Sequence, residues 1–220
     1  MYASSCINPE IPYLQPEDKG LTALGLLEEL KLSEMPLVDN DHYVGIITEM
    51  DLLDYECIDG QLSDISSKLG HPFILEDDHI FDAVSKIAAD NLSVLPVISA
   101  DEKYIGAIDQ ASLIRMISQA EAYRSPGGVI QLEISIHDYS MAEISRLVES
   151  NDLKILHLEV NTAAAENMLN VTIKVNKADL TRLIQTFNRF SYNVTASFHK
   201  DEYEEDLRKR YESFLKYLNP

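Results

Sequence analysis

The chain has 220 residues, 45% hydrophobic and 25% charged, which is ordinary for a soluble protein and long enough for two small domains. Its 37 acidic and 18 basic residues give a net charge of -19, which opposes binding to nucleic acid or to an anionic membrane, because both need clustered Lys and Arg. Only two cysteines, no signal-peptide pattern at residues 1–10 and no apolar run near ~20 residues predict a cytoplasmic protein with reduced thiols.

The N-terminal part predicts a first structural unit with the order β-α-β-β-α. Two prolines in residues 11–16 (IPYLQP) exclude a helix and favour a short edge strand. The remaining elements follow from apolar spacing and turn residues. They are a helix marked by Leu21, Leu24, Leu27 and Leu30, strands at residues 35–38 (MPLV) and 43–47 (YVGII), and a helix that contains residues 51–53 (DLL).

The same order of elements returns about sixty residues later, as expected for an internal repeat. Residues 32–38 (LSEMPLV) align with residues 92–98 (LSVLPVI), and residues 44–47 (VGII) align with residues 105–108 (IGAI). Both copies therefore contain an apolar-Pro strand, an acidic turn and a strand that carries a Gly. Two copies of one α+β unit are predicted, packed together with a cleft between them.

Residues 45–51 (GIITEMD) close the first copy at a predicted corner between a strand and a helix. Two interpretations fit Thr48 and Asp51. In the first, Thr48 caps the helix and Asp51 returns a carboxylate to its first turn, as in a capping box. In the second, both side chains face the cleft, Asp51 accepting hydrogen bonds from a ribose diol and Thr48 bonding a phosphate. The corner alone favours the cap, and the repeat keeps the ligand interpretation open.

These residues resemble a pair of CBS domains, a tandem regulatory module that binds adenosine-containing ligands between its halves. The GIITEMD segment matches the Gly-apolar-apolar-Thr-x-x-Asp motif of the family. The resemblance implies a ligand such as AMP, ATP or an S-adenosyl compound. By resemblance the implied ligand-binding residues are Asp51 at the ribose, Thr48 at a phosphate, and more loosely Tyr13, Met35 and Pro36 at the adenine.

The second copy departs from the motif, because residues 106–112 read GAIDQAS. Asp109 stands at the Thr position and Ser112 at the Asp position. Asp109 is a good helix cap, but an acid repels phosphate and Ser112 cannot accept two ribose hydroxyls as a carboxylate does. We therefore expect a weak or lost second site at Asp109 and Ser112. The acidic residues after Asp51 make a polyphosphate a poorer ligand than AMP or a weakly charged adenosyl compound.

A different pattern follows residues 125–128 (SPGG), the best linker in the chain. Four stretches alternate apolar and polar residues, and two helices are predicted between them. The order β-α-β-β-α-β predicts a ferredoxin-like sheet with two helices on one face. The strands are expected at residues 130–136, 156–160, 169–175 and 192–198, and the helices after the capping box at residues 140–143 and over residues 179–190.

After a CBS pair, this second pattern resembles an ACT domain, the amino-acid-sensing module of small regulators that include the acetoin-utilisation type. ACT ligand sites usually need a Gly at the turn after the first strand, and residues 137–140 (HDYS) contain none. The resemblance implies a role in dimerisation or signal output. Beyond it, charge pairs and an apolar stripe in residues 204–218 predict an amphipathic helix that docks on its own protein or in a partner.

The predicted fold is α+β, with a CBS pair at residues 1–122 (copies at about 8–57 and 68–120), a linker at 123–128, an ACT-like domain at 129–200 and a C-terminal amphipathic helix at 201–220. The sequence shows no catalytic motif and no metal-ligand spacing. We therefore expect no enzyme, no metal and no required cofactor. The favoured function is a regulatory sensor that is a homodimer and acts on an unknown protein. The alternative is an oligomerisation and interaction module without a ligand.

Overall fold

A computed structural model describes residues 1–198, which form two compact units, Met1–Ile117 and a second one that begins at Ser118. The predicted helix at residues 201–220 lies outside the described residues. Both helices and sheets are present, so the α+β class is confirmed. The first unit contains α1 (Gly20–Leu30), β1 (Glu34–Asp39), β2 (His42–Thr48), α2 (Glu49–Asp54), β3 (Ile74–Leu75), α3 (Ile80–Asp90), β4 (Val94–Ile98), β5 (Tyr104–Asp109) and α4 (Gln110–Ile117).

The first copy of the repeat is built on the antiparallel pair of β1 and β2. The predicted edge strand at residues 11–16 is present as one parallel bridge, in which the Leu14 N–H donates to Pro36 O at 2.8 Å. Ala23 and Leu27 of α1 are buried in the first core, whereas Leu21 is 61% exposed. Ala23 and Leu27 are four residues apart and share one helix face, which places Leu21 away from the core.

The second copy repeats this arrangement, with β3 parallel to β4 and β4 antiparallel to β5. Its core is completed by the N-terminal segment Met1–Asn8, since Ala3 and Cys6 are buried among residues of α3, β4 and β5. The Ala3 N–H donates to Asp78 O at 2.9 Å, and the Asn8 N–H donates to Ala107 O at 2.9 Å. The N-terminus therefore belongs structurally to the second copy.

The two copies meet in a nearly symmetric way that reproduces the sequence repeat. The Tyr43 N–H donates to Glu102 O at 3.3 Å, and at the equivalent positions the Tyr104 N–H donates to Asp41 O at 2.8 Å. These two backbone bonds form a single antiparallel bridge between His42 and Lys103, at the starts of β2 and β5. The predicted packing of copy against copy is thus present.

The second unit is a four-stranded sheet with the order β7-β8-β6-β9, in which all neighbours are antiparallel. This order confirms the predicted ferredoxin-like topology. Apolar residues of α6 and α7 pack on the sheet with the inward residues of β6 and β8. The elements are α5 (Glu121–Arg124), β6 (Val129–Ser135), α6 (Met141–Glu149), β7 (Ile155–Thr162), β8 (Met168–Val175), α7 (Thr181–Arg189) and β9 (Asn193–Phe198).

Two apolar residues at the ends of these elements are exposed. Ile136 is 49% exposed, because β6 ends at Ser135 and the chain turns before the alternation can continue. Met141 is 55% exposed, because it is the first residue of α6 and its side chain points back beyond the N-terminal end of the helix, away from the core. Ser140 caps α6 as predicted, its hydroxyl oxygen accepting from the Glu143 N–H at 3.3 Å.

The segment that precedes β6 contains a glycine that the fold requires. A Cβ at Gly127 would stand 1.9 Å from Val175 O, and the φ of Gly127 is +156°. Beside it, the Gly128 N–H donates to Lys177 O at 2.9 Å, so the segment lies against the end of β8. The helix α4 ends at Ile117, and α5 is a separate short helix after the extended Ala120.

Candidate functional site

Thr48 and Asp51 form a complete capping box at the corner between β2 and α2. Thr48 ends the strand with extended backbone, and its hydroxyl oxygen accepts from the Asp51 N–H at 3.1 Å. In return Asp51 Oδ2 accepts from the Thr48 N–H at 2.9 Å and from the Thr48 hydroxyl at 2.6 Å. The capping interpretation of these residues is therefore fully satisfied.

The same hydrogen bonds determine which atoms of Thr48 and Asp51 are free to bind a ligand. Asp51 Oδ1 forms no hydrogen bond with any described residue, and the side chain is only partly buried. This oxygen can accept from a hydroxyl such as those of a ribose. The single hydroxyl proton of Thr48 is already used by Asp51, so a phosphate bound through Thr48 must displace that bond.

The other predicted ligand-binding residues, Met35, Pro36 and Tyr13, differ in their exposure and position. Met35 is fully buried in the first core, and Pro36 lies on β1 opposite Ile46. Tyr13 is 44% exposed and its ring packs edge-on against Tyr104, with ring centroids 5.5 Å apart.

Tyr13 also lines a cavity of about 180 Å³ near the turn after β1, and this cavity includes neither Thr48 nor Asp51. The turn closes the end of β1 opposite to the end that pairs with Thr48. The bond from the Leu14 N–H to Pro36 O places Pro36 close to Tyr13 in the chain's fold, but Pro36, Thr48 and Asp51 are all absent from the lining of that cavity.

A buried hydroxyl next to Tyr13 lacks a partner. Tyr104 Oη is buried without a hydrogen bond within residues 1–198, while the equivalent Tyr43 hydroxyl donates to Pro72 O at 2.8 Å. Burial raises the pKa of both phenols, so both remain neutral at physiological pH. The two copies thus differ at this position, and the side that contains Tyr13 has the unsatisfied donor.

The second corner caps its helix as predicted, and it is filled by the chain itself. Asp109 Oδ1 accepts from the Ser112 N–H at 2.7 Å, and Asp109 Oδ2 accepts from the Asn8 side-chain amide at 3.1 Å. Burial alone would raise the pKa of Asp109, but hydrogen bonds from Ser112 and Asn8 and the nearby Arg115 lower it overall. Arg115 lies 3.4 Å from the Ser112 hydroxyl on its own helix.

Sequence reasoning missed Glu34, a buried acid that links the two copies. Glu34 is 3% exposed, and its Oε1 accepts from the Ser93 N–H, the Ser93 hydroxyl and the Val94 N–H at 2.5, 3.0 and 2.7 Å. The signal was present in the repeat, because LSEMPLV and LSVLPVI differ by an acid within a buried apolar strand. A charged residue at such a position is unusual unless it is paired or functional.

The second unit contains a larger cavity of about 490 Å³ beside the turn that follows β6. Three carboxylates line it, from Glu133, Asp138 and Glu143, together with Tyr192, whose hydroxyl donates to Glu143 at 3.2 Å. Such a lining repels the carboxylate of an amino acid. The absence of a Gly in the turn at residues 137–140 likewise argues against the binding of an amino acid here.

Neither a metal site nor a membrane-spanning helix is present among residues 1–198. No three His, Cys, Asp or Glu side chains there are arranged to hold a metal ion. No helix among residues 1–198 is long and apolar enough to cross a membrane.

Comparison with known families identifies the class of the first unit. The CBS domain family matches residues 3–57 and 62–119, and the chain belongs to this family. CBS domain pairs are regulatory modules, and the corner at Thr48 and Asp51 lies within the first match.

Individual relatives are distant. Inosine-5′-monophosphate dehydrogenase from Methanocaldococcus jannaschii is 23% identical over 167 residues, which are 76% of this chain but only 33% of that enzyme. The chain therefore spans about a third of the length of this relative.

Solved structures of similar fold were also found. A CBS domain pair/ACT domain protein from Thermotoga maritima is 20% identical with a TM-score of 0.48, covering 55% of this chain and 98% of that one. CBSX2 in complex with AMP is 23% identical with a TM-score of 0.42, covering 54% and 96%. The CBS domain of a bacterial CNNM/CorC family Mg²⁺ transporter in complex with ATP is 20% identical with a TM-score of 0.43, covering 53% and 87%. The resemblance to acetoin-utilisation regulators is not confirmed by these comparisons.

Proposed function

We propose that this protein is a cytoplasmic regulatory sensor that binds one adenosine-containing ligand per chain at the corner of Thr48 and Asp51. Membership of the CBS family supports a regulatory role. The observation that carries the proposal is the Asp51 carboxylate, which is fixed by the capping box while its Oδ1 stays free of hydrogen bonds within the described residues. The second unit serves dimerisation or signal output.

A second function, an interaction module without a ligand, is favoured by two observations. The capping box explains Thr48 and Asp51 without a ligand, and Asn8 fills the second corner with a side chain of the protein itself. In this case the repeat is kept for its packing surfaces alone.

Binding of AMP and of adenosine to the purified protein, measured by calorimetry, separates the two functions. Asp51→Ala should weaken binding about tenfold or more, because a charge-assisted hydrogen bond contributes about 1.5–3 kcal/mol. Ser112→Ala is the matched control and should have little effect. Asp51→Asn keeps an oxygen that can cap α2, so it separates loss of the ligand contact from loss of the cap.

The heat stability of the parent protein provides an independent measurement. A ligand at about 100 times its Kd should add about 2.7 kcal/mol to the free energy of unfolding. Two equivalent sites per chain, or unchanged binding by Asp51→Ala, would contradict the assignment to this corner. No protection by any adenosyl compound would leave the interaction module as the function.

A further inference from the structure

Glu34 stands directly beside the proposed site. In the antiparallel pair of β1 and β2, Glu34 is the register partner of Thr48. Residues directly opposite each other in such a pair carry their side chains on the same face, with Cβ atoms about 4.5–5.5 Å apart. The side chains of Glu34 and Thr48 therefore project from the same face of the sheet.

That face is turned toward the second copy. The Glu34 carboxylate accepts two backbone N–H groups and one hydroxyl from Ser93 and Val94, and the Ser33 N–H donates to the Ser93 hydroxyl at 2.9 Å. These bonds hold the carboxylate in the space between the copies. With 3% exposure, the side chain cannot swing into solvent without breaking all three bonds.

The charge of Glu34 is not balanced by a cation. All of its hydrogen-bond partners are neutral groups, and it takes part in no ion pair among the described residues. Asp51 adds a second carboxylate at the same corner, and Glu49 follows Thr48 in the chain. A ligand that brings phosphate to Thr48 therefore meets two negative side chains in a partly buried space, where screening by solvent is weak.

The repeat does not place an acid at this position in both copies, although Glu34 also serves the fold by accepting from the Ser93 and Val94 N–H groups. The equivalent position of the second copy is Val94, which is fully buried in a strand of the same kind. An apolar side chain thus satisfies this place in the repeat. The carboxylate occurs only in the first copy, beside the corner that keeps the Thr and Asp of the motif. This placement points to a role of Glu34 in ligand binding at that corner.

We propose that Glu34 determines the ligand specificity of the corner, excluding adenine nucleotides with several phosphates. The ligands that bind most tightly are adenosyl compounds whose 5′ substituent is neutral or cationic, such as a sulfonium, and AMP, with a single phosphate, binds between these and ATP. This inference rests on the proposed function and narrows it. The negative charge of the Glu34 carboxylate repels or attracts the 5′ group of the bound ligand. Ser93 and Val94 hold the carboxylate in place through their hydrogen bonds.

The test is calorimetric titration of the full chain with adenosine, S-adenosylmethionine, AMP and ATP at constant ionic strength. In the parent protein, adenosine and the sulfonium should bind at least about tenfold more tightly than ATP. Glu34→Gln keeps an oxygen acceptor for Ser93 and Val94 and should reduce this preference about tenfold. Glu49→Gln removes an equal charge from an exposed position near Thr48 and should change it less than about twofold.

The outcomes are distinct. A parent protein that prefers ATP overturns the inference without need of any variant, and so does a ligand preference that Glu34→Gln leaves unchanged. In both cases an adenosyl ligand is still bound and the proposed function stands. Failure of the parent to bind any of the four compounds overturns the proposed function and this inference with it.

Discussion

Asp109 replaces the Thr of the first corner, yet both side chains cap the helix that follows them. The spacing of Thr48 to Asp51 and of Asp109 to Ser112 made both caps predictable, because capping depends on residues three positions apart. The bond from Asn8 to Asp109 was not predictable, since 101 residues separate the partners. Local chemistry could be predicted from the sequence, whereas the occupant of the second corner depended on the tertiary fold.

The lowered pKa of Asp109 predicts a pH-dependent contribution to stability. A carboxylate with a depressed pKa in the folded state stabilises the fold above its unfolded pKa of about 3.9, and this contribution is lost as the pH falls through the folded value. We expect the parent to be more stable than Asp109→Asn at about pH 7. The difference in free energy of unfolding, measured by urea denaturation, should shrink steadily below about pH 4.

Asp101→Asn is the control for this prediction, because Asp101 is an exposed acid of the same copy. Its unfolding free energy should follow that of the parent much more closely at each pH. A difference between parent and Asp109→Asn that stays constant down to the acid transition would contradict the role given to Asp109.

At the scale of the elements, periodicity predicted most helices and strands, and the errors lie at their ends and edges. The helix over residues 20–30 was predicted from its leucines, but Leu21 is exposed because Ala23 and Leu27 set the buried face. A small residue such as Ala23 contributes little to the hydrophobic pattern of the sequence, although its size allows the closest packing. The end of β6 was misplaced by one residue because Ile136 continues the alternation after the strand has turned away.

Gly127 is a position where the second unit depends on the absence of a side chain. Gly127→Ala places a Cβ about 1.9 Å from Val175 O at a φ of +156°, so the segment must shift away from β8. We expect a loss of about 2–4 kcal/mol in the free energy of unfolding, measured by chemical denaturation. Hydrogen exchange of β6 and β8 should rise, since these strands support the segment.

Gly25→Ala is the matched control with the opposite sign. Gly25 lies within α1 with no atom within 4 Å of an added Cβ, so the substitution should stabilise by up to about 1 kcal/mol. Equal effects of the two substitutions would show that the contact of Gly127 with β8 does not matter.

At the scale of the whole molecule, the repeat predicted two copies of one unit, and the family match to residues 3–57 and 62–119 confirms them. What the repeat could not predict is that Met1–Asn8, which precedes the first copy, completes the core of the second copy. The repeat in the sequence predicts which helices and strands exist. It does not predict which copy residues 1–8 join, because either copy offers a suitable edge. The choice depends on chain length and packing, which no local pattern contains.

We expect the protein to be a homodimer. Each helix pair of the repeat leaves large apolar side chains exposed, and the four-stranded sheet has unpaired edges at β7 and β9 within the described residues. Light scattering at micromolar concentration should give about twice the chain mass of 24.8 kDa. The most exposed of these helix side chains are Leu21, Met50, Phe81 and Ile114.

Phe81→Glu tests whether these helices form the interface. Phe81 is 73% exposed on α3, so the substitution should leave the fold intact and lower the fraction of dimer. Leu75→Glu, at a side chain 38% exposed outside the helices, is the comparison and should leave the dimer unchanged. A monomer mass for the parent protein would exclude the homodimer.

The position of Met1–Asn8 in the second core has a consequence for how the chain acquires its structure. Ala3 and Cys6 are synthesised well before α3, β4 and β5, which enclose them. The partners of Asn8, which are Ala107 and Asp109, follow it by about a hundred residues. These contacts raise the contact order of the unit and slow its folding. On the ribosome the first copy can assemble while residues 1–8 are still unplaced, so this segment is buried only after the second copy has been synthesised.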